Sequence, residues 1–548
     1  MYGPIKAFIS YVAHCVKAQL APARRVADSV ERECRLMLPT DMADFKPKDG
    51  DDMTRIDIGL CSTPCDRPEV PKGRVGYYTI RAILEAKVSK SDIKNACVQL
   101  YEYTRQLYAE QHHLRFAWGI TVCGTDVRVC RFGNDNVVAS TAMDVATPGG
   151  RQAFIQLLVD WSLCNEAQLG RDTTMDYIPK LACWRVTCHD DSDAKIARDY
   201  FFTTVICDAD RLFGRHTRCF LATDQTLTRK VTAGKPLKGT VVIKDAWAFG
   251  KSNADEDDRD EVKPLKKIHG SFSADKPADI LYPEIKVGGR VRLKKGSDLI
   301  EDTTDMVYGG VIASDSKKIH FRAHRRIVMS PVGERLRTVK TVAEFITVVC
   351  DAMRCHQEIL KRCNILHRDI SDNNVLVVRR DDKARGLLID FDCAEDLSKE
   401  KTDRRAEMTG TFPFMSINNL SGSDVQRTSL DDWESVLYLI CWYATIGIEH
   451  GTRRRKELEE LPIMKWRTGK DVDVARQKRN NLHTEDLFMD NIVRNFNEND
   501  RDGHLLKELV LNLRAVLFEN PNLGTEYHGT STMVDIKASR SKPMSMEE

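Results

Sequence analysis

In the segment His367-Arg368-Asp369-Ile370-Ser371-Asp372-Asn373-Asn374 an acid, Asp369, stands five residues before a carboxamide, Asn374. Phosphoryl transfer asks a protein for little covalent chemistry. It needs metal and phosphates held, a carboxylate beside the attacking hydroxyl, and negative charge neutralised. In that chemistry Asp369 accepts or orients the hydroxyl proton, and Asn374 returns from the loop to ligate Mg2+. Asp390, at the end of the apolar run Leu387-Leu388-Ile389, is the second metal ligand and bridges the phosphates. Arg368 is a cation able to grip a phosphate on Ser398, Thr402 or Thr409. Reading the two acids as ordinary solvated loop carboxylates leaves their order and spacing unexplained.

A phosphate-donating nucleotide needs its own contacts. Val241-Val242-Ile243-Lys244 is an apolar strand ending in a lone cation, the context of a lysine that holds the phosphates. Its ion-pair partner is expected on the next helix, with Glu261 favoured and Glu256 a competitor. The run Leu212 to Thr217 offers Gly214 alone where nucleotide-covering loops present three glycines, so close backbone approach to phosphate is less assured. Arg325 to Gly333 reads as a last small-lobe strand followed by a hinge, with backbone at Met329 meeting adenine.

These residues need elements to carry them. Val342, Phe345, Ile346, Val349, Met353, His356, Leu360 and Cys363 recur at helical spacing and predict one long amphipathic helix ending just before the catalytic loop. Two short apolar runs, from Val375 and from Leu387, predict a buried hairpin after it. Trp433 to Ala444 is apolar all round, as in a core helix whose first acid, Asp432, braces the catalytic loop backbone. From Tyr200 to Lys244, Val- and Thr-rich runs broken by Gly214, Gly234 and Gly239 predict meandering antiparallel strand. Cys350, Cys355, His356 and Cys363 fall on the long helix at no zinc-site spacing, so core packing is expected.

The chain of 548 residues is too long for one core, and its 42% apolar and 30% charged composition is that of globular domains. A formal charge of +2 gives no global pull toward nucleic acid or membrane. Seventeen scattered cysteines without paired spacing fit a reducing compartment. A soluble intracellular protein of cytoplasm or nucleus, without a membrane partner, is therefore expected.

Several runs together resemble the fungal-type protein kinase family. They are Ile243 to Trp247, His367 to Ser371, Ile389 to Asp392, Gly410 to Met415 and Asp432 to Tyr438. The resemblance spans roughly residues 180 to 520 and implies a two-lobed kinase using ATP and a divalent metal on Ser or Thr of a protein substrate. Ser371 stands where Ser/Thr kinases place a phosphate-contacting lysine, which leaves acceptor choice open. Asp392 replaces the usual glycine after Asp390-Phe391. Asn418 falls where the family's run ends in Glu, so the ion pair that anchors the activation segment is expected to be missing.

Residues 54 to 135 carry Asp57, Glu85-Ala86-Lys87, then Gln99 and Tyr103 on a predicted helix, and resemble the PD-(D/E)xK nuclease superfamily. In that chemistry carboxylates bind Mg2+ and a lysine activates water; a strand's period of two sets Glu85 and Lys87 on one face. A surface ion pair between the two is the plainer alternative.

The expected architecture is α+β: a bilobal protein kinase-like fold preceded by an α/β domain, with a restriction-endonuclease-like fold as one reading of the latter. The expected divisions are 1–175, a small lobe 176–334, a large lobe 335–520 and a disordered tail 521–548. The expected activity is transfer of the ATP γ-phosphate to protein Ser/Thr hydroxyls. The alternatives are an ATP-binding pseudokinase scaffold, a small-molecule phosphotransferase, or a kinase-linked nucleic-acid-binding or nuclease-like protein, with nucleic acid engaged through the amino-terminal domain.

Overall fold

A computed structural model of the chain describes residues 2–23, 37–41, 58–62, 80–134, 137–192, 196–208, 212–224, 239–249, 261–277, 279–295, 297–304, 321–380, 383–398, 410–422, 427–446, 459–496 and 503–519. Asp57, Glu256 and the tail from 521 lie outside them. Mixed helices and sheets make up two compact units, Met1–Asp258 with Lys286–Val328, and Arg259–Ile285 with Met329–Glu548. Among the described residues no helix is long and apolar enough to cross a membrane.

Among the described residues the first unit holds two seven-stranded sheets and one small hairpin. In the first, helix α1 (Tyr2–Ala23) precedes strands β1 (Met37–Asp41), β2 (Ile58–Ser62) and β3 (Ile80–Lys87). Helix α2 (Ile93–Glu110) follows, then β4 (Ala117–Cys123), β5 (Asp126–Phe132), β6 (Val137–Ala139), β7 (Met143–Asp144) and α3 (Pro148–Leu163). The first three strands are antiparallel to one another, whereas β4 lies parallel to β3 because α2 makes the crossover between them. Strand β3 is apolar on both faces for a packing reason. Ile80 and Ile83 meet Leu100, Tyr103 and Leu107 of α2, while Ala82, Leu84 and Ala86 meet Ile9, Phe154, Leu158 and Trp161.

The second sheet comprises β8 (Met175–Ile178), β9 (Cys183–His189), β10 (Ala197–Cys207), β11 (Arg218–Thr223), β12 (Thr240–Phe249), β13 (Glu284–Arg290) and, after the small hairpin β14 (Arg292–Lys295) and β15 (Asp298–Glu301), β16 (Arg322–Ser330). Its order is β13-β16-β12-β11-β10-β9-β8, so the expected meander is present, with β16 inserted beside β12. Phe202 stacks on Phe220 at 4.2 Å over Val186, Ile243 and Val328. The expected division at 175/176 falls inside β8, and both sheets belong to one unit.

The second unit contains α4 (Val262–Phe272), β17 (Glu334–Arg335), α5 (Val342–Cys363), β18 (Ile365–Leu366), β19 (Val375–Arg380), β20 (Lys383–Leu388) and β21 (Glu395–Asp396). After these come α6 (Ile417–Leu420), α7 (Ser429–Ile446), α8 (Asp471–Leu482), α9 (Glu485–Asn491) and α10 (Gly503–Phe518). Helix α5 begins where the Thr341 hydroxyl accepts the Glu344 amide at 3.1 Å. It ends where Asn364 turns left-handed and its amide caps Leu360. The long helix, the β19–β20 hairpin and the all-round apolar α7 thus lie where the spacing placed them. On α5, His356 is paired with Asp432 and Cys355 and Cys363 are buried, which is the packing role expected of them.

Gly386 of β20 crosses α5 closely: a Cβ there would lie 2.0 Å from the Val348 carbonyl oxygen. Asp351 reinforces the crossing by accepting the Gly386 amide at 3.1 Å and the Arg385 guanidinium at 3.1 Å. Gly386→Ala is expected to force strand and helix apart and to cost about 1–3 kcal/mol or more of stability, read as a lower denaturant midpoint at unchanged m-value.

Candidate active site

The catalytic loop hangs between two pairs of short strands in the second unit. Leu366 of β18 pairs with Glu395 of β21, which brings the start of the loop alongside the segment that follows Asp390. Both Arg368 (φ 70°) and Asp390 (φ 66°) adopt left-handed backbone that side chains rarely take. Strain of this kind persists only where surrounding bonds hold it. Here Asp432, buried at the start of α7, accepts the Arg368 amide at 3.2 Å and His356 Nε2 at 2.7 Å, the bracing role read from sequence. Burial opposes its ionisation, but the His356 hydrogen bond and the neighbouring imidazoles hold the carboxyl below its ordinary range. His367 meets the Ile389 carbonyl at 3.0 Å and packs its ring on the edge of Phe391.

Asp369 is held for a task. Thr411 donates both its amide, at 2.7 Å, and its hydroxyl, at 2.8 Å, to Asp369 Oδ1. Burial, and then the like charge of Asp390, raise the Asp369 carboxyl above the usual range despite those two donors. Asn374 spends its amide nitrogen on the Asp369 carbonyl at 2.8 Å, so the carboxamide oxygen is the atom left for a metal.

Carboxylate oxygens of Glu261, Asp390 and Asp392 gather within 4.8 Å of one another, an all-oxygen set suited to a hard divalent cation. Glu261 sits at the N-cap of α4 and accepts the Phe391 amide at 3.0 Å. Its reach into the carboxylate group was not legible locally, since 130 residues separate it from Phe391. Met329 ends the buried run of β16.

The activation segment is anchored by contacts the sequence reading lacked. Arg368 pairs with Glu395 at 2.8 Å, both side chains mostly buried. Ser398 bonds Asp396 and lies 3.2 Å from Lys267, which itself pairs with Asp396; Thr402 and Thr409 lie outside the described residues. Around Asn418, three groups share the anchoring. Lys478 of α8, fully buried, donates to the Pro413 and Met415 carbonyls at 2.7 Å each and sits over the Tyr438 ring at 4.0 Å. Glu434 accepts the Ile417 amide at 2.8 Å and the Tyr438 hydroxyl. Asp431 accepts from Ser416 and Asn418. Burial pushes Lys478 down to about 7 and Glu434 up to about 8.

In the first unit Lys244 is buried on β12, opposite Cys219 of β11. Gly214 has φ 122° and open space at its Cβ position, as a flexible loop requires, but its amide donates to the Asn134 carbonyl at 2.7 Å. Leu212, two residues earlier, is packed into the core of α2 and β3. Glu85 and Lys87 do form an ion pair, at 2.8 Å, with Glu85 fully buried rather than at the surface.

No curated protein matches the chain. The family model described as fungal protein kinase matches residues 55–444, more than half of the 548. Its span takes in β2 to β7 as well as β8 to β16, the catalytic loop and most of α7. With the loop braced by Asp432, the acid held by Thr411 and the carboxylate group beside it, this chain belongs to the fungal protein kinase family.

Proposed function

We propose that the chain transfers the γ-phosphate of ATP to Ser or Thr hydroxyls of a protein substrate. The observation that carries this reading is the double hydrogen bond from Thr411 to Asp369. It fixes one carboxylate oxygen and leaves the other to receive the hydroxyl proton as the substrate oxygen attacks phosphorus. The bond from phosphorus to the bridging oxygen then breaks and ADP leaves with that electron pair. The raised Asp369 carboxyl suits a group that takes a proton during the step. Bound Mg2+ would neutralise phosphate charge; Asp390 and the Asn374 carboxamide oxygen are its ligands in this reading, with Asp392 and Glu261 as further acceptors beside them. Lys244 supplies a cation to the phosphates, Gly214 lies in the loop assigned to cover them, and backbone at Met329 meets adenine. The retained acids and lysine favour catalysis over a pseudokinase scaffold.

Arg368 already has an acidic partner in Glu395, so activity is proposed not to require a phosphate on the activation segment. In phosphatase-treated protein, Glu395→Gln is expected to lower the rate about tenfold by releasing Arg368; an unchanged rate rejects this role. Asp369→Asn is expected to lower incorporation of labelled phosphate from ATP and Mg2+ into a mixed protein substrate by about a hundredfold or more. Equal incorporation by the two proteins overturns the kinase reading.

A second reading concerns the amino-terminal strands. The order helix, three antiparallel strands, helix, parallel strand, with Glu85 beside Lys87 at the end of β3, favours Mg2+-dependent cleavage of nucleic acid there. On a labelled DNA duplex with Mg2+, the native chain is expected to cut and Lys87→Ala to be inactive. Matching behaviour of the two removes the nuclease.

A further inference from the structure

A chain of six charged groups runs through the interior of the first unit. Arg115 Nε donates to Asp302 Oδ2 at 2.7 Å, and His324 Nδ1 donates to the same oxygen at 2.9 Å. His324 Nε2 donates to Asp245 Oδ1 at 2.6 Å, Arg326 Nε to Asp245 Oδ2 at 2.8 Å, and Arg326 Nη2 to Asp172 Oδ2 at 2.7 Å. Every member is buried. A carboxylate on each ring nitrogen requires both nitrogens of His324 to carry protons, so the signs alternate and cancel. Burial alone would discharge the imidazole, but Asp245 and Asp302 raise it to about 9. Asp172, Asp245 and His324 are close enough to hold a metal, yet the Arg326 guanidinium already supplies their cation.

The relay joins segments far apart in sequence. Arg115 precedes β4 and Asp172 follows α3, both from the first sheet's part of the chain. Asp245 lies on β12, and His324 and Arg326 lie on β16. A strand's period of two puts Asp245 and Trp247 on one face of β12 and Lys244 on the other. Trp247 stacks flat on His324 at 4.8 Å, and its amide bonds the Arg215 carbonyl at 2.7 Å. The strand is therefore gripped on the face opposite Lys244, one residue away from it. Stability by itself does not call for such a device, because apolar groups of equal volume often stabilise a core as well as buried ions do. What ions with fixed hydrogen bonds add is orientation.

We propose that Arg115, Asp302 and His324 are positioning residues for phosphoryl transfer. Acting through Asp245, they set β12 so that Lys244 meets the ATP phosphates, which makes the amino-terminal α/β part of the unit a component of the nucleotide site. This rests on the reading of Lys244 given above.

The test is a double-mutant cycle on the full chain, read as the Kd of a fluorescent ATP analogue with Mg2+. Arg115→Met combined with Asp302→Leu removes both charges together and leaves no orphan ion. Its Kd is expected to rise about tenfold. In a Lys244→Met background the same pair is expected to change Kd little, since the group it positions is gone. Independent multiplication of the two effects overturns the proposal, as does a native Kd in the paired variant. Lys244→Met with native Kd instead defeats the lysine's role, and the proposal with it. Should the paired variant fail to fold, Arg115→Lys keeps the charge but loses the fork, and its Kd is expected to rise in the native but not in the Lys244→Met background; equal rises in both overturn the proposal.

Discussion

Charge that is buried must be matched, and Asp432 is where that constraint does most for the catalytic unit. Its carboxylate lies at the start of the all-apolar α7, where water cannot serve it. A lone carboxylate there would cost several kcal/mol, so its oxygen takes the Arg368 amide and the His356 ring instead. Those two bonds tie α7 to α5 and to the turn of the catalytic loop at once. The left-handed backbone at Arg368 is thereby held, and with it the position of Asp369 on the next residue. The Thr411, His367 and Glu395 contacts then hold the rest of the loop around this braced turn.

The same constraint explains how the segment around Asn418 is held. Asn418 cannot form an ion pair, yet the backbone around it still presents carbonyls and amides that need partners. Lys478 satisfies Pro413 and Met415, Glu434 satisfies Ile417, and Asp431 takes the Ser416 hydroxyl. Three buried groups on α7 and α8 thus share the anchoring of this segment. Glu395 completes the pattern by giving Arg368 a fixed carboxylate rather than a transient phosphate.

How much of this could be read from residue order depended on range. Helix α5 was legible because its apolar stripe repeats every three or four residues. The loop and hairpin were legible because acid, amide and apolar runs follow one another within a few tens of residues. The contact of Glu261 with Phe391 has no local signature, since it spans 130 residues. Arg115 and Asp302, 187 residues apart, carry no local signature at all: each looks like a solvated charge until the fold brings them together. Lys478 was hidden for the opposite reason, as one lysine in a strongly polar stretch of α8.

The burial of the Arg115 relay also bears on why the family match begins at residue 55 rather than near β8. A guanidinium and a carboxylate enclosed together neutralise one another; either alone is a buried ion, worth about 3–5 kcal/mol of lost stability when its partner is removed. Strands β12 and β16 therefore cannot keep Asp245, His324 and Arg326 in place while the segments bearing Arg115 and Asp172 are dispensed with. A module joined by a flexible surface contact can be lost or exchanged without such a penalty. One joined by six alternating charges in a dry interior is bound to the strands it serves, and the sequence that encodes β12 and β16 has to be read together with the sequence that encodes their distant counter-ions.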